Sequence, residues 1–243
     1  MARTHPEAAH LLPLVCFLLI GAAGDWTGIE GIALWIYPLQ ALVGLGLVAW
    51  FWPSYSFGPL RGVGWIVIAA PLACALWVAP SLIYARYGAP LWLEGVVPGI
   101  NLPGRTLLGL AERGRGFDPA AYGGTMLPPF VGLVLRFARL VVTVPLIEEI
   151  CWRGFVMRLI DDPGRPFHEN PFGRHRWRSF LVVTALVVAA HQPVDWIGAF
   201  GFGCMTYGIA VGTKSLTSCV LFHALVNLCL GLYVMATRQW GFW

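Results

Sequence analysis

Six polar residues that could do chemistry stand inside strongly apolar stretches of this chain. In Val-Pro-Leu-Ile-Glu148-Glu149-Ile-Cys-Trp-Arg153-Gly-Phe, two adjacent carboxylates and an arginine sit among hydrophobes. His191 closes the run Ala-Leu-Val-Val-Ala-Ala, and Phe-His223-Ala-Leu-Val-Asn227 lies in the last apolar run. Ionisable groups at membrane depth cost about 3 kcal/mol or more each, so they are functional candidates by default.

Helical spacing sorts them. Glu149 and Arg153 are four apart and share a face, as an ion pair would. Glu148 is turned about 100° away and is free to face another helix. His223 and Asn227 are also four apart and point one way. With Arg136, Arg178 and Lys214 taken as interface markers, Glu148 lies about 18 Å below the outer boundary. His191 and His223 lie about 20 Å and about 14 Å above the inner one. Across a core about 30 Å thick, the three fall at one depth near the midplane.

A carboxylate beside an imidazole can take a proton from a trapped water and make a nucleophile for a peptide carbonyl. A histidine and an asparagine on one face can donate hydrogen bonds to the oxyanion that develops. No cofactor is needed for this. The alternative is a divalent metal such as zinc on Glu148, His191 and His223, since one carboxylate and two histidines match a catalytic zinc site. His-Glu-x-x-His is absent, so such a site would be assembled from three helices.

These groups need membrane helices to hold them. The chain has 243 residues, 58% hydrophobic and 12% charged, with a mean hydropathy of +0.70. Soluble domains carry about twice that charged fraction. Too little polar surface exists to cover such a protein in water, so the excess faces lipid. Apolar runs extend over Ala8–Gly24, Gly31–Trp52, Gly62–Tyr84, about Met126–Ile160, Ser179–His191, Trp196–Thr213 and Leu216–Ala236. The expected fold is an all-α, polytopic transmembrane bundle of seven or eight spans, the fourth run being long for a single plain span. The N-terminal run is read as the first span rather than a signal peptide, because its n-region is weakly basic and further spans follow. Residues 1–243 read as one domain, with the motifs in a core at about 126–236.

With the N-terminus in the cytoplasm, Arg3, Arg61, Arg158, Arg165, Arg174, Arg176, Arg178 and Lys214 fall inside. Arg86, Arg105, Arg113, Arg115 and Arg238 fall outside, together with Asp25, Glu30, Glu94, Glu112, Asp118 and Asp195. The basic residues thus favour this orientation eight to five, and the expected location is the cell membrane. Their place between apolar runs gives them a topological meaning, and no nucleic-acid partner is expected. Arg136 and Arg139 read as interfacial or snorkelling side chains. His5, His10, His168 and His175 fall in polar, Arg-bearing segments and receive no role. Asp161 and Asp162, beside Pro163, should end the fourth helix. The six cysteines have no Cys-x-x-Cys spacing and read as small buried hydrophobes. Residues 86–125 form the largest irregular stretch, either a lid or binding loop or a loop lying on headgroups.

Glu-Glu-x-x-x-Arg at Glu148–Arg153, then His191, then His-x-x-x-Asn at His223–Asn227, resembles the CPBP (Abi) intramembrane protease family, which includes the type II CAAX prenyl endopeptidases. The resemblance covers about 130–236; the first three spans match only as generic membrane helices. It implies that Glu148 and His191 activate water, that His223 and Asn227 form the oxyanion site, and that Glu149 and Arg153 support them. The family's second motif usually reads Phe-x-x-x-His, whereas Val187 stands four before His191 here. The ending Tyr-Val-x-x-Thr-Arg-Gln-Trp-Gly-Phe-Trp is similar to a CPBP subset associated with exosortase systems.

The expected function is therefore intramembrane proteolysis of a membrane-associated or lipid-modified protein, with lipid and that substrate as partners. Two other classes remain open at this point. One is a non-catalytic membrane accessory, immunity or sorting partner. The other is a small transporter relaying protons through Glu148 and the histidines.

Overall fold

The computed structural model describes residues 5–27, 32–114, 116–124 and 128–243. Arg3, Glu30 and Arg115, counted in the charge balance, lie outside these residues, as do the boundaries at Gly31, Thr125 and Met126.

Seven main helices follow the apolar runs: Pro6–Thr27, Ala33–Trp50, Val63–Tyr87, Pro129–Asp161, Trp177–Ala189, Trp196–Thr213 and Leu216–Thr237. Five segments are long and apolar enough to cross a membrane; the second and fifth helices are shorter and also apolar. Large apolar side chains such as Leu19, Leu42, Trp65, Ile68, Leu181 and Leu232 project outward from these helices. In water such a surface would be costly; in a bilayer it meets lipid. The protein is a helical membrane bundle.

The seventh helix is central and packs against the third, fourth and sixth. The first and second pair with each other and lean on the fourth, and the fifth pairs with the sixth. Ile66, Ala70, Val78, Val183, Phe202, Cys219, Phe222 and Val234 form the larger core cluster. Alternation of helix direction gathers residues 88–114, 116–124, 190–195 and 238–243 at one end, called here the loop end.

That end is tied together by specific bonds. Arg113 pairs with Asp195 at 2.7 Å, donates from Nε to Ser81 and lies over the Phe242 ring. Trp243 Nε1 donates to the Phe117 carbonyl. The loop itself holds a short hairpin, Val96–Val97 against Leu102–Pro103, and a one-turn helix at Gly104–Leu107. At the opposite end, Asp161 closes the fourth helix and is held by Arg176 at 2.8 Å and Arg174 at 3.6 Å.

The fourth helix is a single element of 33 residues. At about 1.5 Å per residue it is about 50 Å long, well beyond a core of about 30 Å. Two π-helical turns interrupt it, Arg139–Thr143 and Ile150–Val156. The first has a clear cause. Pro145 has no N–H and its ring would strike the carbonyl four residues before it in a regular α-helix. Widening the turn relieves that clash, and Val144 N–H bonds the Arg139 carbonyl instead. In this i to i+5 pattern the Leu140 carbonyl would need an N–H from Pro145, which has none.

Two expectations are corrected. Arg136 and Arg139 do not snorkel. Arg136 is 2% exposed and lies over the rings of Tyr37, Phe117 and Trp243. Arg139 donates to Gln40 and stacks on Phe17 and Tyr37. Aromatic faces inside the bundle hold both charges, so neither needs to reach the interface. His10 is likewise not in a polar setting. It is buried in the first helix against Tyr55, Phe155 and Phe167, with Nδ1 bonded to the Pro6 carbonyl.

Candidate active site

The fourth and seventh helices meet at the polar residues. Glu149 Oε1 lies 3.3 Å from Arg153 Nη1 and 2.9 Å from His223 Nδ1. Glu149 and Arg153 are fully buried, and His223 is nearly so. The ion pair expected from spacing is present, and a histidine 74 positions away joins it. Removing two charges from water is costly, and their attraction offsets that only with additional hydrogen bonds. The imidazole supplies one such bond. Glu149 Oε2 and Arg153 Nε and Nη2 take no bond from the described residues, so the site keeps unmet polar capacity.

The bond to Glu149 fixes His223. With Nδ1–H donating to the carboxylate, Nε2 points away from it. A second proton on the ring would make Nε2 a donor as well. The Phe202 ring packs on the imidazole at 4.7 Å between centroids.

Asn227, one turn further along the seventh helix, donates from Nδ2 to the Leu140 carbonyl at 2.8 Å. That is the carbonyl which Pro145 and the π turn leave without a backbone donor. Asn227 therefore repairs the fourth helix, and its Oδ1 remains outside this bond.

Glu148 differs from its neighbour. It is half-buried, and no hydrogen bond or ion pair joins it to the described residues. Its carboxylate interacts electrostatically with Arg139 and Cys151. His191 lies just past the fifth helix, with Nδ1 donating to the Val187 carbonyl at 2.7 Å and its ring against Trp77. This bond leaves Nε2 as the lone-pair nitrogen of the neutral ring. The departure at Val187 thus costs an aromatic neighbour, while the fully buried valine still anchors the histidine through its backbone.

The structure joins Glu149, Arg153 and His223 directly. Asn227 reaches the helix that carries Glu148, and no direct bond links Glu148, His191 and His223. Among the described residues no three His, Cys, Asp or Glu side chains are gathered as metal ligands.

Residues 130–229 match the family model described as Type II CAAX prenyl endopeptidase Rce1-like. That match over part of the chain is a likeness to the CPBP family. All six motif residues fall inside the matched segment. The exosortase-like ending, residues 233–243, falls outside it. No curated protein and no solved structure matches the chain.

Sequence reasoning missed one polar region. Tyr37, Gln40, Arg136, Arg139, Gln192 and Trp243 line a cavity of about 330 Å³ at the loop end. The available signal was the pair of arginines three residues apart within the fourth apolar run.

Proposed function

We propose that this chain is an intramembrane endopeptidase that hydrolyses a peptide bond in a membrane-associated protein carrying a lipid group, prenylated proteins included. The observation that carries the reading is the division of labour between adjacent carboxylates. Glu149 is committed to Arg153 and His223, whereas Glu148 is unpaired beside them. An unpaired carboxylate in apolar surroundings is a suitable general base. In this account Glu148 takes a proton from a water that the Nε2 lone pair of His191 helps to orient. The resulting hydroxide attacks the peptide carbonyl, and His223 in its doubly protonated form donates a hydrogen bond from Nε2 to the oxyanion. Collapse of the tetrahedral intermediate breaks the C–N bond as Glu148 passes its proton to the leaving amine. Asn227 keeps the helix beneath Glu148 in register. The match of residues 130–229 to the Rce1-like family model supports the same reading. The account places the N-terminus in the cytoplasm of a multi-pass cell-membrane protein.

A non-catalytic sorting or immunity partner is the second reading. One observation favours it: His191, His223 and Asn227 each make a bond that is sufficient as structure. Cleavage of a lipid-modified peptide by the purified protein separates the two. Glu148→Gln should lower the rate by about a hundredfold to ten-thousandfold. If neither the unsubstituted protein nor any variant cleaves, yet Glu148→Gln retains the cellular phenotype, the partner reading replaces the protease.

A further inference from the structure

His191 stands where its own helix no longer holds it. The fifth helix ends at Ala189, and residues 190–192 continue as non-helical backbone. Two bonds tie that backbone: His191 N–H to the Val188 carbonyl at 3.1 Å, and Trp196 Nε1 to the His191 carbonyl at 3.0 Å. The imidazole has one hydrogen bond among the described residues, from Nδ1 to the Val187 carbonyl. That bond sets the tautomer. It is a single point of attachment, however, and the ring can still swing about it.

A second restraint arrives from the third helix. The Trp77 indole packs on the imidazole in a T-shaped arrangement, with centroids 5.3 Å apart and planes at 67°. The indole is itself confined. A side chain at Gly198 would meet it at 3.0 Å, so glycine near the start of the sixth helix lets Trp77 lie directly on that helix. Phe202, one turn further along, contacts the indole at 6.3 Å between centroids and the His223 imidazole at 4.7 Å. Phe202 is fixed in turn by stacking on Phe222. Two packed aromatic rings therefore stand between histidines that share no bond. Past Trp77, Gly109 clamps the end of the third helix: with φ +72°, it leaves no room for a side chain, which would meet Pro80 at 2.9 Å and the Val194 carbonyl at 3.1 Å. That contact ties the third helix to the connection that carries His191.

We infer that Trp77 is a positioning residue for His191 and, through Phe202, sets the gap between His191 and His223. The inference rests on the proteolytic reading, in which the Nε2 atoms of both rings must converge on one carbonyl and its attacking water. Trp77 lies outside the segment 130–229 that matches the family model. It supplies from another helix the aromatic neighbour that Val187 does not provide.

The test measures cleavage of an S-prenylated peptide by the full chain in neutral detergent, together with histidine 15N spectra in which the His191 signals are assigned by His191→Gln. Trp77→Leu should lower kcat by about tenfold to a hundredfold with KM within about twofold, the scale of a small misplacement of a reacting group. Trp77→Phe keeps an aromatic ring and should retain at least about a third of kcat. In the spectra, Trp77→Leu should shift or broaden the His191 signals, and Trp77→Phe should do so less. Val78→Ala, which thins the core beside Trp77, should lower the unfolding temperature without lowering kcat. Should Trp77→Leu fail to fold, Gly198→Ala decides, because its methyl group pushes the indole and should lower kcat several-fold. Unchanged His191 signals in Trp77→Leu, an unchanged kcat in that variant or in Gly198→Ala, or an equal kcat loss in Val78→Ala overturns the inference. Altered His191 signals with no cleavage by the unsubstituted protein defeat the protease reading and leave Trp77 as the residue that holds the ring.

Discussion

The two π-helical turns of the fourth helix differ in what makes them necessary. The Arg139–Thr143 turn answers a local problem: Pro145 cannot donate, its ring needs room, and Asn227 caps the carbonyl left over. Ile150–Val156 contains no proline. It carries Arg153 and Gly154: Arg153 pairs with Glu149 one turn back, and the tertiary partners are His223, through Glu149, on one side and the first helix on the other. A side chain at Gly154 would meet His10 at 3.3 Å, so glycine permits that close approach. One turn is thus written into the local sequence and corrected from outside, whereas the other follows from packing. Between them lies Glu148, positioned by both.

Substitutions can break this comparison. The largest effect is expected at the second turn. Arg153→Met leaves Glu149 buried with only His223 as its hydrogen-bond partner and should cost about 3–5 kcal/mol in detergent unfolding. A loss under about 1 kcal/mol would show that the pair contributes little. At the first turn, Asn227→Leu strands the Leu140 carbonyl and should cost about 1–3 kcal/mol. Adding Pro145→Ala should recover much of that loss, because a regular N–H then becomes available. Strict additivity in the double-mutant cycle would contradict the link between Pro145 and Asn227. The smallest effect is expected at Gly154→Ala. Crowding against His10 opposes the gain in helix propensity, and unfolding should move by less than about 1 kcal/mol. A loss of several kcal/mol would mean that the first helix cannot yield there.

These turns also mark where the sequence was legible. Apolar runs located all seven helices to within a few residues, because in lipid length and hydrophobicity set a span almost alone. The Glu149–Arg153 pair followed from i, i+4 spacing, and Asp161 ended the fourth helix as expected. Pairing of His223 with Glu149 was out of reach, since spacing on one helix says nothing about which face another presents. The same limit hid the aromatic setting of Arg136 and Arg139, where Tyr37, Phe117 and Trp243 arrive from three separate segments. His10 was misread because the Arg-bearing flank of its helix outweighed the apolar periodicity that buries it.

The central claim is that adjacent carboxylates have separate duties, Glu148 in chemistry and Glu149 in structure. Parallel measurement of cleavage rate and unfolding temperature for Glu148→Gln and Glu149→Gln tests it most directly. The account predicts that Glu148→Gln abolishes cleavage of a lipid-modified peptide with an unchanged unfolding temperature. Glu149→Gln should lower that temperature by several degrees, through loss of the charge that holds Arg153 and His223. A Glu148→Gln protein that cleaves at the unsubstituted rate would contradict the account.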